Sequence, residues 1–435
     1  MIQPKISDYM KDRKPSAVRV AQLIFAKRTD NIDAVNVAIG NVSLPMHKAM
    51  RKRMNNLVSS ESPFSKGVVK YSNTIGMQET RDAFLHVLEA SGISTTGLYT
   101  QITDGGSQAM ELVILGTTGK SDGKDRPLLL LDAAYTNYVA IAKRVGRKTV
   151  SVTRTLNDDG VFSLPDVAEV EAVIKKEQPS AIVVIPYDNP TGQLISRKSF
   201  VELAKLAVKY NLWIISDEAY RELAYKSDEV TSIWAISEQE VPGIIGRRIS
   251  IETTSKVWNA CGLRIGALVT DSFELHEKEV AENTASLCSN VIGQYIFAAL
   301  NDVSSADLQK WFKKQRNYYS KMVHSFRKDM LRELPNVIVS QPEASIYSVI
   351  DVRNLADDTF EASDFVAFCA SKGIAEVDGK KYTLLVSPMR GFYNIAGKEN
   401  PGRTQMRVAF VETPERMALV PKLFAELFQQ YTTNF

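Results

Sequence analysis

From about residue 75 to 300, apolar residues come in short blocks that alternate between two periods. Strand-length apolar runs occur at 128–131, 149–152, 181–185, 212–215, 249–251 and 265–269. Between them lie stretches with apolar residues at helical spacing. One is 197–210, with Phe200, Leu203, Ala204, Leu206 and Ala207. Alternation of this kind predicts parallel strands joined by crossover helices. Residues 5–28 carry Val18, Ala21, Leu23, Ile24 and Phe25 among polar neighbours. They predict an N-terminal helix packed on the body or on a partner subunit. Residues 35–40 read as a short strand running into a glycine loop. A long charged helix is expected at about 304–333, after which the pattern changes. Residues 336–340, 347–351 and 405–410 read as strands, and 362–372 and 414–431 as helices, of a smaller α+β unit. No internal repeat or low-complexity tract interrupts this order.

The chain of 435 residues is long enough for two or three domains. A net charge of +3 with mixed signs gives no field that points to nucleic acid or to an anionic membrane. The three cysteines, Cys261, Cys288 and Cys369, are far apart and form no metal-ligand spacing, which fits a reducing cytoplasm. The four histidines are scattered, so neither a zinc site nor a Ser-His-Asp triad is expected. No signal-peptide core is evident, and no run reaches the ~18 apolar residues of a membrane helix.

In open parallel sheets, ligands bind beyond the carboxyl ends of the strands. The polar residues that follow the expected strands are therefore the ones to weigh. Lys256 follows the run at 249–251, flanked by Thr253, Thr254 and Ser255, with Arg264 eight residues on. A lysine at the end of a buried strand is unusual, because most lysines are solvated. In a dry site it can form a Schiff base. The hydroxyls and the arginine suit a phosphate, and a lysine beside a phosphate cradle suggests pyridoxal phosphate. Asp217, in Ser216-Asp217-Glu218-Ala219-Tyr220, is either a helix cap or the partner of a protonated pyridine nitrogen, with Tyr220 in reach of a ring hydroxyl. Asn189, in Asn189-Pro190-Thr191-Gly192, is either part of a structural turn or a donor to a phenolic oxygen. Gly105-Gly106-Ser107-Gln108 opens a helix, where backbone amides favour an anion. Tyr135 and Tyr138 follow another strand, and each reads either as a ring stacker or as ordinary core. Arg407, inside an apolar strand, calls for a bidentate anion: a substrate carboxylate, or a structural Asp or Glu.

The order and spacing of these segments resemble the class I/II aminotransferases of pyridoxal phosphate fold type I, the aspartate aminotransferase-like family. The resemblance runs from about residue 35 to 431. It implies an α/β fold: a large domain with a mostly parallel seven-stranded sheet between helices, plus a smaller α+β domain. The expected division is 1–50 as an N-terminal helix and a segment joining the small domain, 51–310 as the large domain, and 311–435 as the small domain. The resemblance further implies that Lys256 forms the aldimine with pyridoxal 5′-phosphate and shuttles a proton. Asp217 would hold the pyridine nitrogen, and Asn189 and Tyr220 the ring oxygen. Gly106, Ser107, Gln108, Thr253, Ser255 and Arg264 would hold the phosphate. Tyr135 would stack on the ring, with Tyr138 second to it. Arg407 would bind the substrate carboxylate, and Gly40 would lie on the loop that closes over it. Tyr71 matches a tyrosine that reaches the neighbouring subunit's phosphate, which implies a homodimer.

The activity so implied is transfer of an amino group from an L-α-amino acid to a 2-oxo acid by a ping-pong cycle. The alternative is a lyase on the same fold, of the C–S lyase or aminocyclopropane-carboxylate-synthase type. A regulator with an attached DNA-binding domain is not expected, since only about 34 residues precede the first strand. Some positions depart from the family pattern. Ser345 stands where many relatives carry glycine, which suggests a less permissive backbone. Residues 283–286 lack the arginine that reads a side-chain carboxylate in aspartate-specific relatives. Arg390, in a loop that resembles a substrate-side loop, is a candidate for a second carboxylate contact.

Overall fold

In the computed structural model, the structure describes residues 4–226 and 230–434. The strands are β1 (Asp33–Asn36), β2 (Tyr99–Thr103), the hairpin β3 (Gly119–Ser121) and β4 (Lys124–Arg126), β5 (Leu128–Asp132), β6 (Thr149–Thr153), β7 (Ala181–Val184), β8 (Trp213–Asp217), β9 (Arg248–Thr253), β10 (Gly266–Thr270), β11 (Ile338–Val339), β12 (Tyr347–Asp351), β13 (Ala375–Val377), β14 (Lys380–Leu385), β15 (Ser387–Pro388) and β16 (Gln405–Ala409). Seven of them form the main sheet in the order β2-β10-β9-β8-β7-β5-β6. All its pairings are parallel except those of β10, which runs antiparallel to both β2 and β9. The strand run at 265–269 is thus the exception to the parallel rule. It follows β9 after residues 254–265, which hold the short turn Cys261–Leu263 and no crossover helix.

The main strands are apolar on both faces because helices cover both. Leu128, Leu130, Ile215, Ile249 and Leu268 pack toward one cluster, and Leu129, Leu131, Ile182, Ile214 and Ala267 toward the other. A second, four-stranded sheet has the order β11-β12-β16-β15, and a third has the order β1-β14-β13. The early strand β1 pairs in parallel with β14, near the other end of the sequence. The long helix Ser305–Glu333 packs on the helix Pro414–Asn434.

The single helix expected over 5–28 is two, Asp8–Lys11 and Ala17–Phe25. Pro15 has no N–H to give and disfavours a helical Lys14, so the chain restarts with Ser16 extended at φ −61°, ψ 144°. The second helix packs against the helix Ala362–Ser371, with Ala21 fully buried. The side chain of Val18, one of the positions used to predict this helix, lies outside the described residues.

Glu279, on the helix Phe273–Asn283, is buried beside Gly116 with no hydrogen-bond partner for its Oε1 among the described residues. Burial, with a smaller push from Glu282, raises its carboxyl from 4.5 to about 8. Its folded pKa lies above its unfolded one, so stability falls as pH rises between those two values. Glu279→Gln is expected to be more stable than the native chain by roughly 4 kcal/mol near pH 8 and nearly equal to it near pH 4.5, as read by denaturant titration.

Candidate active site

Because β5, β7, β8 and β9 are parallel, their carboxyl ends lie along one edge of the sheet. β10 runs the other way, so its amino end, Gly266, falls at that edge too, beside the carboxyl end of β2 at Thr103. A cavity of about 870 Å³ opens there. Gly40, Gly106, Ser107, Tyr135, Asn189, Asp217, Tyr220, Thr253, Ser255, Lys256, Arg264 and Arg407 all line it. Gln108, Tyr71 and Arg390 do not. The Gln108 side chain accepts from the Asp104 N–H at 2.6 Å and donates to Asn283 Oδ1 at 3.0 Å, so it steadies the helix from behind. Tyr71 is 78% exposed and away from the cavity of its own chain.

One end of the cavity is built for an anion. The helix Gly105–Thr117 begins there, and its N-cap residue, Asp104, makes no capping bond. The Asp104 carboxylate instead accepts from the Asn290 N–H at 3.0 Å, which leaves the first helical amides available. Gly105 has φ +75°, and a Cβ there would stand 2.6 Å from Arg264 Nη2. Only glycine lets that guanidinium lie against the helix start. At Gly266 a Cβ would come within 2.6 Å of the Gly105 backbone, so β10 approaches the same turn closely. Thr253 Oγ1 and Ser255 Oγ are 2.8 Å apart on the facing side.

The middle of the cavity is lined by aromatic and acidic groups. Asp217, at the end of β8, accepts from the Ala219 N–H at 3.1 Å and from the Tyr138 hydroxyl. Burial raises the Asp217 carboxyl above the usual range, and the Tyr138 bond opposes that. Tyr138 is thus Asp217's hydrogen-bond partner. Its ring meets Tyr135 edge-on at 5.6 Å, and Tyr135 faces the cavity. Burial lifts the Tyr135 phenol to about 12. Beneath Asp217, the buried Arg221 bridges Glu218 and Glu252, each at 2.7 Å. This ion cluster fixes the turn after β8; breaking one member would leave a buried charge unpaired. Lys256 Nζ donates to the Gly40 carbonyl, which joins the β1 loop to the end of β9.

The third part surrounds Arg407, which is 2% exposed in the middle of β16. Its guanidinium donates to Asn189 Oδ1 at 2.8 Å and to the Ala38 carbonyl at 2.7 Å. It lies 4.4 Å from the Tyr347 ring centroid and 5.1 Å from that of Phe392. Its Nε has no partner, and no Asp or Glu pairs with it among the described residues. A buried cation without a carboxylate is costly, so the structural-acid reading of Arg407 fails and an anionic ligand fits. The Asn189 loop is braced by a buried Arg154–Asp188 pair at 2.8 Å, and Ser345 Oγ donates to the Asp188 carbonyl at 2.8 Å. Ser345 itself has φ +58°. The backbone where relatives carry glycine is thus as left-handed as glycine allows, and its hydroxyl bond offsets part of the ~1–2 kcal/mol cost of a Cβ there. Arg390 does not serve the cavity. Its fork is committed to Glu361, at 2.7 and 2.5 Å.

The residues present suit pyridoxal phosphate. An anion cradle that a Cβ would fill, a carboxylate held in a buried site, a lysine and a buried arginine with no carboxylate partner among the described residues share one cavity. Sequence reasoning missed Tyr347, Phe392 and the Arg154–Asp188 brace. Tyr347 is two residues from Val349, the register partner of Arg407 across β12 and β16, and so shares its face. That signal exists only once the strand pairing is known.

The architecture is that of the fold type I enzymes. It is shared by N-succinyldiaminopimelate aminotransferase from Mycobacterium tuberculosis, with a TM-score of 0.79 at 19% identity over 97% of this chain and 100% of that one. Aspartate aminotransferase from Thermus thermophilus with maleate gives 0.78 at 18% identity over 98% and 100%. In sequence, aspartate aminotransferase of Thermotoga maritima is 25% identical over 80% of this chain and 84% of its own. Aspartate/prephenate aminotransferase of Thermus thermophilus is 23% identical over 85% and 89%. Residues 32–404 match the family model for aminotransferase class I and II. The chain belongs to that family and is an aminotransferase.

Proposed function

We propose that this cavity holds pyridoxal 5′-phosphate and that the enzyme moves an amino group from an L-α-amino acid to a 2-oxo acid by a ping-pong mechanism. The observation that carries this reading is a buried Arg407 with no carboxylate partner among the described residues, in the same cavity as Lys256, Asp217 and the helix-start cradle. When bound, the cofactor supplies an electron-withdrawing ring that stabilises negative charge at the substrate Cα. The chain supplies the rest. Gly106, Ser107, Thr253, Ser255 and Arg264 bind the phosphate. Asp217 keeps the pyridine nitrogen protonated. Asn189 gives its Oδ1 to Arg407, which leaves its Nδ2 to donate to the ring oxygen alongside Tyr220. Arg407 holds the α-carboxylate, so the reacting Cα–H bond is oriented before reaction. Lys256 Nζ anchors the cofactor and carries the proton to and from Cα.

We further propose a cytoplasmic homodimer with shared active sites. Val68, Val69 and Tyr71 are large, exposed and close in sequence, which suits a surface that a second copy covers. Among the described residues no helix is long and apolar enough to cross a membrane, and no His, Cys, Asp and Glu cluster is placed to hold a metal. The division into 1–50, 51–310 and 311–435 is retained as a proposal; the pairing of β1 with β14 supports joining the first segment to the last.

Amino acid supplied alone, without an oxo acid, tests the reaction class. Transamination converts the cofactor stoichiometrically to its amine form and then stops. Continuous release of oxo acid indicates the lyase instead. Arg407→Leu is expected to lower kcat/KM for amino acid by about 10²–10³-fold, since truncating one partner of a buried charge pair costs about 2–5 kcal/mol. The cofactor absorbance should be retained, because Arg407 lies at the substrate end.

A further inference from the structure

Tyr347 was not anticipated as a site residue, yet its hydroxyl is placed with care. The Tyr347 and Tyr220 hydroxyls are 2.7 Å apart, their rings meeting edge-on at 5.6 Å, and both are buried. A Cβ on Gly40 would collide with the Tyr347 hydroxyl and would stand 3.2 Å from Lys256 Nζ. The absent side chain at position 40 thus makes room for the hydroxyl, next to the lysine. The Tyr347 ring has a task of its own, since Arg407 rests on its face. A phenylalanine would do that equally well. The hydroxyl needs a separate reason, and its hydrogen-bond partner is Tyr220.

Two facing hydroxyls share one proton in the bond between them. If Tyr347 donates, the proton of Tyr220 is committed outward into the cavity. If Tyr220 donates, it is not. We propose that Tyr347 is a positioning residue whose hydroxyl donates to Tyr220 Oη and so commits the Tyr220 proton to the ring oxygen of the cofactor. The inference rests on the cofactor reading above and deepens it. A donor that itself accepts a hydrogen bond is polarised and donates more strongly. A stronger bond to the ring oxygen holds negative charge there and lowers the proton affinity of the neighbouring nitrogen that joins the cofactor to Lys256. Burial keeps the Tyr220 phenol well above its usual pKa, so it remains a neutral donor at working pH.

The test is a pH titration of the visible absorbance of the holoenzyme, native and Tyr347→Phe. The variant keeps the ring, and with it the stacking on Arg407. Its absorbance midpoint is expected to rise by about one pH unit, the size of one hydrogen bond's contribution. kcat is expected to fall by about tenfold, with less than a threefold change in KM. In a Tyr220→Phe background, the same substitution is expected to add no further shift, because its route is gone. An unchanged midpoint would make Tyr347 only a wall for Arg407, and a lowered one would mean that Tyr220 is the donor; either overturns the proposal. Should Tyr347→Phe fold poorly, the same cycle run with Tyr347→Leu reads the hydroxyl from the double-mutant difference. A native protein with no pH-dependent cofactor band overturns the cofactor reading itself, which no result on Tyr347 alone can do.

Discussion

Lys256→Ala is expected to lower turnover by roughly 10⁴-fold, the upper end of what a positioned proton carrier contributes. Two losses combine. On the proposed reading, the covalent anchor for the cofactor would disappear, and so would the group that carries the proton at Cα. The rest of the cavity should be little disturbed. Among the described residues Lys256 Nζ hydrogen-bonds only the Gly40 carbonyl, and Gly40 lines the open cavity, where water can replace the ammonium. The variant should therefore unfold at nearly the native denaturant midpoint and still bind the cofactor through the helix-start cradle and Arg264. The spectrum would be that of a free aldehyde. Stopped-flow turnover and a visible spectrum of the same sample check both halves; retained turnover would contradict the assignment.

Asp217→Asn is expected to be the next largest loss, about 10²–10³-fold in kcat, from removal of one buried charge-paired hydrogen bond to the ring nitrogen. Stability should move the other way. Burial raises the Asp217 carboxyl in the cofactor-free protein, so that form loses stability as pH rises from the usual carboxylate range through the raised value. The amide has no charge to bury and escapes that loss. Cofactor-free Asp217→Asn should thus be at least as stable as the native chain at neutral pH while the holoenzyme is nearly inactive. A thermal melt of the cofactor-free proteins, set beside kcat of the loaded ones, reads this. An equal loss of stability and activity would mean that Asp217 holds the fold and has no part in the chemistry.

The strand-end residues were legible in sequence because they break the expected chemistry of their strands. A lysine after the run at 249–251, an aspartate ending β8 and an arginine inside β16 are each costly without a partner. They stand out without any knowledge of the pairing. Tyr347 and Phe392 do not, since a tyrosine opening a strand is ordinary. Their closeness to Arg407 comes from the β12–β16 register and from the loop after β15. Gln108 was drawn in by sequence adjacency to Gly106 and Ser107. Three residues into the helix, however, the backbone has turned away, and its amide bonds to Asp104 and Asn283. Arg390 had a motif context but also an acid within reach, Glu361, 29 residues earlier in sequence. The long-range partner decided between a solvated arginine and a structural one. The apolar spacing over 5–28 does not register Pro15, whose ring divides the segment into two helices.

Reduction with borohydride fixes a cofactor to the lysine that carries it, and peptide mass spectrometry then locates the adduct. The account predicts one phosphopyridoxyl group per chain, on the peptide that contains Lys256, and none in Lys256→Ala. An adduct on another lysine, or no adduct in a protein that turns over, would contradict it.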